Sequence, residues 1–125
     1  MEKSEKGEFN ERIRERTMKM AVDIHELLIA IKISPLTRPI VSQIIRSSSS
    51  VASNYRAATR SRSDAEFYSK SCIVVEEIDE TQFCLDYLSG INLPGMKENE
   101  NLFEEVNELV KLFTSIKSKM KAKLQ

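Results

Sequence analysis

At 125 residues and 14.3 kDa, with 41% hydrophobic and 30% charged residues, the chain is long enough for one packed core and too short for two. Three glycines and three prolines supply too little turn chemistry for a many-stranded sheet, and with no Trp and 6% aromatics the core has to be built from Ile, Leu, Val and Met. Nineteen basic against nineteen acidic residues give a formal net charge of zero, which excludes a globally basic nucleic-acid binder but not a polarised one.

The N-terminal stretch from Met1 to Arg16 is charged throughout and has no apolar h-region, so no signal peptide is expected. The longest apolar run, Leu27 to Ile31, falls far short of the ~20 residues that span a bilayer. The chain therefore reads as cytoplasmic, with no membrane partner. Two breakers, Ser34-Pro35-Leu36-Thr37-Arg38-Pro39 and Gly90-Ile91-Asn92-Leu93-Pro94-Gly95, and an interruption at Ser61-Arg62-Ser63 divide it into four helical segments. The predicted spans are 10–32, 39–60, 64–89 and 99–123, with 1–9 flexible and residues 1–125 forming one domain. Ser63 followed by Glu66 fits a capping box and sets the third start, and Pro39 suits the first turn of the second helix.

Each segment carries an apolar seam. The first aligns Ile13, Met20, Ile24, Leu27, Leu28 and Ile31, and the second Ile40, Val41, Ile44, Val51 and Tyr55. The third repeats in heptads through Phe67, Val74, Thr81 and Leu88, offset by Ser71, Ile78 and Leu85, and the fourth runs Leu102, Val106, Leu109, Phe113, Ile116, Met120. Seams of this spacing pack helices about 20° apart, and short connections force antiparallel neighbours. The fold class predicted is all-α, an antiparallel up-down-up-down four-helix bundle. In it Cys72 and Cys84 lie twelve residues apart on one helix, about 18 Å, whereas a disulfide tolerates about 7 Å, so both thiols are expected free.

The stretch from Ile44 to Leu88, with Ser-Asn-Tyr-Arg at 53–56, Arg-Ser-Arg-Ser at 60–63 and the acidic string Glu76-Glu77-Ile78-Asp79-Glu80-Thr81, resembles the bacterial four helix bundle protein family, also called 23S rRNA intervening-sequence proteins. The resemblance implies a ring-forming homo-oligomer, commonly a pentamer, without enzymatic activity. Some members lie inside intervening sequences of ribosomal RNA genes. A relative serves as accessory protein of diversity-generating retroelements, with nucleic acid and a reverse transcriptase as its implied partners. Ala57 departs from the pattern, since many members carry Glu there.

Candidate chemistry is sparse. His25 is the single histidine, and any Ser/His or Cys/His nucleophile would have to use it; the competing reading is a half-exposed residue on a helix flank. Glu76, Glu77 and Glu80 suggest a carboxylate-bridged metal, but ferritin-like sites need two Glu-x-x-His motifs. A structural polar network is favoured instead, with Glu77 or Glu80 accepting from Asn54, Tyr55 or Arg56. No enzyme activity, cofactor or metal is expected.

Two surfaces point to self-association. In the serine run Ser47 to Ser50, a 100° step places Ser48 toward the core and Ser49, Ser50, Ser53 and Ala57 away from it, a small-residue face that is either a subunit contact or a solvated surface. Met18, Val22, Ile29 and Ile33 form a second apolar stripe about 140° from the first helix's core stripe, so either the core face is wide or another subunit covers it.

In the predicted topology residues 1–16, 54–70 and 114–125 share one end, with thirteen basic against seven acidic side chains, an excess of six. Arg56, Arg60, Arg62, Lys70, Lys117, Lys119, Lys121 and Lys123 are its candidate nucleic-acid contacts. Helix-dipole complementation at ~0.3–1 kcal/mol each accounts for one or two of these lysines, not for the arginines. Such an end suits phosphate contacts to RNA or DNA without strong sequence preference, as no recognition motif or aromatic platform is visible. The expected function is a non-enzymatic homo-oligomeric bundle acting as a nucleic-acid-associated accessory protein. The alternative is a structural protein–protein scaffold that binds no nucleic acid.

Overall fold

The computed structural model describes residues 4–125, and of Lys97 the backbone only. Four long helices follow one another: α1 (Glu5–Ile29), α2 (Arg38–Ala58), α3 (Asp64–Gly90) and α4 (Glu100–Leu124). A single 3-10 turn, Met96–Glu98, precedes α4. At about 1.5 Å per residue each helix is some 32–40 Å long.

Helix boundaries follow local chemistry. The Ser4 side chain accepts a hydrogen bond from the Gly7 amide at 3.0 Å, and Glu5 and Glu8 sit in the first turn, where the helix dipole favours negative charge. α1 therefore starts five residues before the predicted position 10. Of the segment expected to be flexible, 5–9 are helical and 1–3 lie outside the described residues. Between α1 and α2 the Ser34 amide donates to Thr37 Oγ1 (2.9 Å) and the Arg38 amide to the Ser34 carbonyl (2.9 Å), a tight turn that Pro39 completes at the start of α2. Ser63 caps α3 by accepting from the Glu66 amide at 3.1 Å, as the capping-box reading required. The α3–α4 connection turns through Gly95 at φ +90°, a backbone region that side chains rarely adopt, and seats Met96 fully buried against the bundle.

Two clefts show that the helices alternate in direction. One, of about 210 Å³, is lined by Lys6 and Asn10 from α1, Thr59, Ser61 and Arg62 from the α2–α3 junction, and Met120 from α4. The other, of about 780 Å³, is lined by Leu27 in the last turn of α1 and Ile31 just past it, by Gly95 and Asn99 ahead of α4, and by Leu102 in its first turn. Each end thus collects the helix termini that an up-down-up-down bundle places there. α1 packs on α2, α2 on α3 and α3 on α4, and α1 is tied to α4 by Arg16, whose guanidinium bonds Glu105 and lies 3.1 Å from Glu108.

The predicted seams form the core. Ile24, Ile44, Val51, Ile78, Leu88, Val106 and Leu109 are fully buried, and the heptad positions of α3 are buried except Phe67, which is half-buried. Tyr55 packs its ring 5.3 Å from Phe113 and donates its hydroxyl to Asn10 Oδ1 at 3.2 Å; burial pushes its pKa up to about 12. Cys84 is buried, which pushes its thiol up to about 11, and Cys72 is half-buried; both are free.

α2 and α3 meet through a hydroxylated pair, Ser47 and Thr81, both fully buried. Ser48, Ala52 and Ala58 of α2 are buried as well. The 100° projection places Ser48 toward the core, and the structure buries Ser47 beside it. The Thr81 hydroxyl donates to Ser47 Oγ at 2.9 Å, with the Glu77 carbonyl 2.8 Å away as its other acceptor, and Ser47 donates to the Ile44 carbonyl. At the seam's outer edge Arg46 bridges Glu77 (3.2 Å) and Glu80, and Gln43 donates to Glu80.

This corrects the polar network predicted around Asn54. Its amide donates to Ser50 Oγ and to the Ser50 carbonyl, both at 2.9 Å, within α2. The antiparallel register explains the change. Arg46 lies opposite Glu77, and Asn54 is about 12 Å further along α2, beyond reach of either glutamate. Tyr55 turns to Asn10 rather than to α3.

Two measurements check the seam. Ser47→Leu should overpack it and lower stability by about 1–3 kcal/mol in urea unfolding. Ser69→Leu, on the exposed side of α3, should stay within about 0.5 kcal/mol of the parent. The hydrogen bond from Arg46, then that from Gln43, holds the Glu80 carboxyl below its ordinary value of 4.5. A lowered folded pKa gives stability that is complete above 4.5 and is lost as pH falls through the folded value. Glu80→Gln should therefore lose less stability than the parent between neutral pH and about pH 3; equal losses would remove Glu80 from the acid response.

Candidate nucleic-acid interface and association face

The cap at Ser63 ends the connection from α2 abruptly, so residues 59–63 fold over one end of the bundle with Arg60 and Arg62 exposed on it. Arg56 lies exposed in the last turn of α2. α4 delivers its lysines to the same end: Lys119, Lys121 and Lys123 are exposed, and Lys117 and, on α3, Lys70 are half-buried. A two-residue spacing advances 200° around a helix, so Lys117 and Lys121 stand on one side of α4 and Lys119 and Lys123 on the other. The lysines form a collar around the terminal turns, not a stripe along the shaft.

Among the described residues, Lys123 alone of the eight candidate contacts forms an ion pair, with Asp64 at 3.1 Å. Of the others, Arg62 lines the small cleft at that end, beside Asp64. Asp23, Glu26, Glu98 and Glu100 line the cleft at the far end. The polarity is not purely axial. Residues 71–113 hold ten acidic and two basic side chains, so the negative charge lies on the α3–α4 side as well as at the far end.

The second apolar stripe lies on the outside of α1. Met18, Val22 and Ile29 are exposed, Ile29 to 72%, which removes the wide-core explanation; Ile33 is exposed too, but it lies in the connection to α2, because α1 ends at Ile29 and not at the predicted 32. On neighbouring α2, Ser49 and Ser53 are exposed and Ser50 and Ala57 half-buried. His25 is exposed, within the stripe between Val22 and Ile29. Glu77 and Glu80, weighed as metal ligands, are turned to Arg46.

Sequence reasoning missed one surface. Phe83, Tyr87 and Ile91 are exposed along α3, with the two rings 6.2 Å apart. Their i, i+4, i+8 spacing outside the heptad seam was the available signal.

No helix among the described residues is long and apolar enough to cross a membrane. No curated protein matches the chain. Among solved structures, the chain is similar to a protein of unknown function from the S23 ribosomal protein family of Bacteroides thetaiotaomicron VPI-5482. The identity is 25% over 87% of this chain and 97% of that one, with a TM-score of 0.72. The family model for 23S rRNA-intervening sequence proteins matches residues 10–115, which spans all four helices and both motifs around Asn54 and Arg60. The chain belongs to the 23S rRNA-intervening sequence protein family.

Proposed function

We propose that this protein is a non-enzymatic, cytoplasmic homo-oligomeric bundle that acts as a nucleic-acid-associated accessory protein, its basic end resting on phosphates. The observation that carries the reading is the convergence of Arg60, Arg62 and the α4 lysine collar on one end, where among the described residues Lys123 alone of them is paired with a carboxylate. Unpaired cations at a helical end hold phosphates by charge and read no bases. The family's name, which ties its members to intervening sequences of 23S rRNA, is consistent with such a partner. The exposed α1 stripe beside the small-residue face of α2 supports self-association, because contiguous apolar surface on a soluble domain marks an interface. A ring with bundles side by side, as in the pentamer the resemblance implies, repeats the basic end around one rim.

Light scattering of the purified chain should give a mass several times 14.3 kDa. Val22→Asp with Ile29→Asp should yield a helical monomer, and a parent that is strictly monomeric at ~100 μM would sink the assembly reading. For nucleic acid, gel-shift titrations of RNA and DNA should show affinity falling steeply with salt, with a slope of about −0.9 per phosphate neutralised on duplex DNA. Arg60→Glu with Arg62→Glu, and Lys119→Glu with Lys121→Glu, should each abolish the shift, while Lys111→Glu on the shaft of α4 should leave it unchanged. Absence of any shift at low salt would leave a protein–protein scaffold as the function.

A further inference from the structure

The small cleft at the basic end holds a polar group that the fold leaves unsatisfied. Ser61 lines it, between Arg60 and Arg62 in the connection from α2 to α3, and its hydroxyl oxygen is buried. That oxygen has no hydrogen-bond partner, and among the described residues it is the one buried side-chain oxygen or nitrogen left so. Buried hydroxyls in native folds are as a rule paired, so an orphan beside an open cleft points to a partner that arrives from outside.

The surroundings of Ser61 select the partner's charge. The cleft is lined from the starts of α1 and α3, whose N-termini carry the positive ends of their dipoles. The Asp64 amide, at the first position of α3, has no acceptor within its helix, and the Ser63 hydroxyl is taken by the Glu66 amide. Lys6 and Arg62 add two cations, neither paired with a carboxylate among the described residues. Asn10 accepts the Tyr55 hydroxyl with Oδ1, which leaves its NH2 group to donate. The one carboxylate lining the cleft, that of Asp64, already has Lys123 at 3.1 Å. Donors without a free carboxylate among them suit an anion.

Size selects the kind of anion. At about 210 Å³ the cleft is smaller than the roughly 300–1,000 Å³ of pockets that enclose a small molecule, so it takes a group and not a whole nucleotide. An internal phosphodiester is flanked by sugars on both sides and carries a single charge. A phosphomonoester projects from the end of a strand and carries about −1.5 to −2 at pH 7, which two cations match. We propose that this cleft is a subsite for the terminal phosphate of a nucleic-acid strand, held by Lys6, Arg62, the Ser61 hydroxyl and the start of α3. The inference rests on the nucleic-acid reading above and deepens it: the lysine collar takes phosphates anywhere along a strand, and the cleft takes its end.

The test is fluorescence anisotropy with one short, internally labelled single-stranded RNA in three forms: 5′-phosphorylated, 3′-phosphorylated, and hydroxyl at both ends. At least one phosphorylated form should bind about tenfold tighter than the hydroxyl form, as charge-assisted bonds to one group provide. That advantage should fade below about pH 6, where the monoester loses its second charge. Ser61→Ala should cut the advantage several-fold and leave affinity for the hydroxyl form unchanged. Lys6→Gln, at an exposed position of α1, should also cut it, with far-UV circular dichroism confirming that both variants are helical. Equal binding of the three forms by the parent overturns the subsite and leaves the basic end as a binding surface. No binding of any form at low salt overturns both. An end preference that survives both substitutions places the phosphate elsewhere and overturns the proposal. Inorganic phosphate shares the chemistry without the strand, and at matched ionic strength it should compete only far above the RNA concentration. Competition at equal concentration would make the free anion the ligand and overturn the assignment to a strand end.

Discussion

The α2–α3 seam is the constraint from which the rest of the bundle takes its register. Two buried hydroxyls, on Ser47 and Thr81, must find partners out of water, and at 2.9 Å they find each other. Each also has a carbonyl acceptor in its own helix, Ile44 for Ser47 and Glu77 for Thr81, so sliding α2 past α3 by one residue forfeits the one cross-helix bond, about 0.5–1.5 kcal/mol, together with apolar contact. Apolar seams alone tolerate slippage, because one Leu or Ile replaces another with little change in volume. A hydroxyl pair does not.

Everything at the surface follows from that register. With Ser47 opposite Thr81, Arg46 stands opposite Glu77 and Glu80, and the half-exposed edge of the seam is closed by charge-assisted bonds. Asn54 is carried past the acidic string and turns back onto Ser50. Residues 59–63 are carried over the end of the bundle, where they put Arg60 and Arg62 beside the last turns of α4. The same rotation of α3 that buries Thr81 leaves Phe83 and Tyr87 outward. The basic end and the aromatic strip are thus consequences of one packing choice.

What the sequence made legible was whatever a single helix expresses alone. Heptads at Val74, Thr81 and Leu88, the Ser63 cap and the Pro39 start all depend on residues within a few turns, and the four-helix fold follows from them. The α1 stripe was visible for the same reason. What stayed hidden depends on two helices at once. Ser47 reads as one of four identical serines until Thr81 is placed against it, and the partner of Glu80 is fixed by a register that no periodicity reports. The early start of α1 was hidden by composition. Residues 1–16 are so densely charged that they resemble a solvated tail, although Ser4 and two glutamates make a sound helix start. Phe83 and Tyr87 lie off the heptad seam, where periodicity does not distinguish a solvated side chain from a covered one.

A net charge of zero conceals how differently the charges are held. The acids of α3 face Arg46 of α2 on a lateral face and are partly neutralised there across the seam. The lysine collar, Arg60 and Arg62 occupy an end, where among the described residues only Lys123 has a carboxylate partner. Asp23, Glu26, Glu98 and Glu100 line the cleft at the other end. If copies associate side by side, as proposed, each basic end would face the same rim, and the field of such a particle would be directional, attracting phosphate to one rim and repelling it from the other. In that geometry assembly would be the step that gives a chain of zero net charge a surface for polyanions.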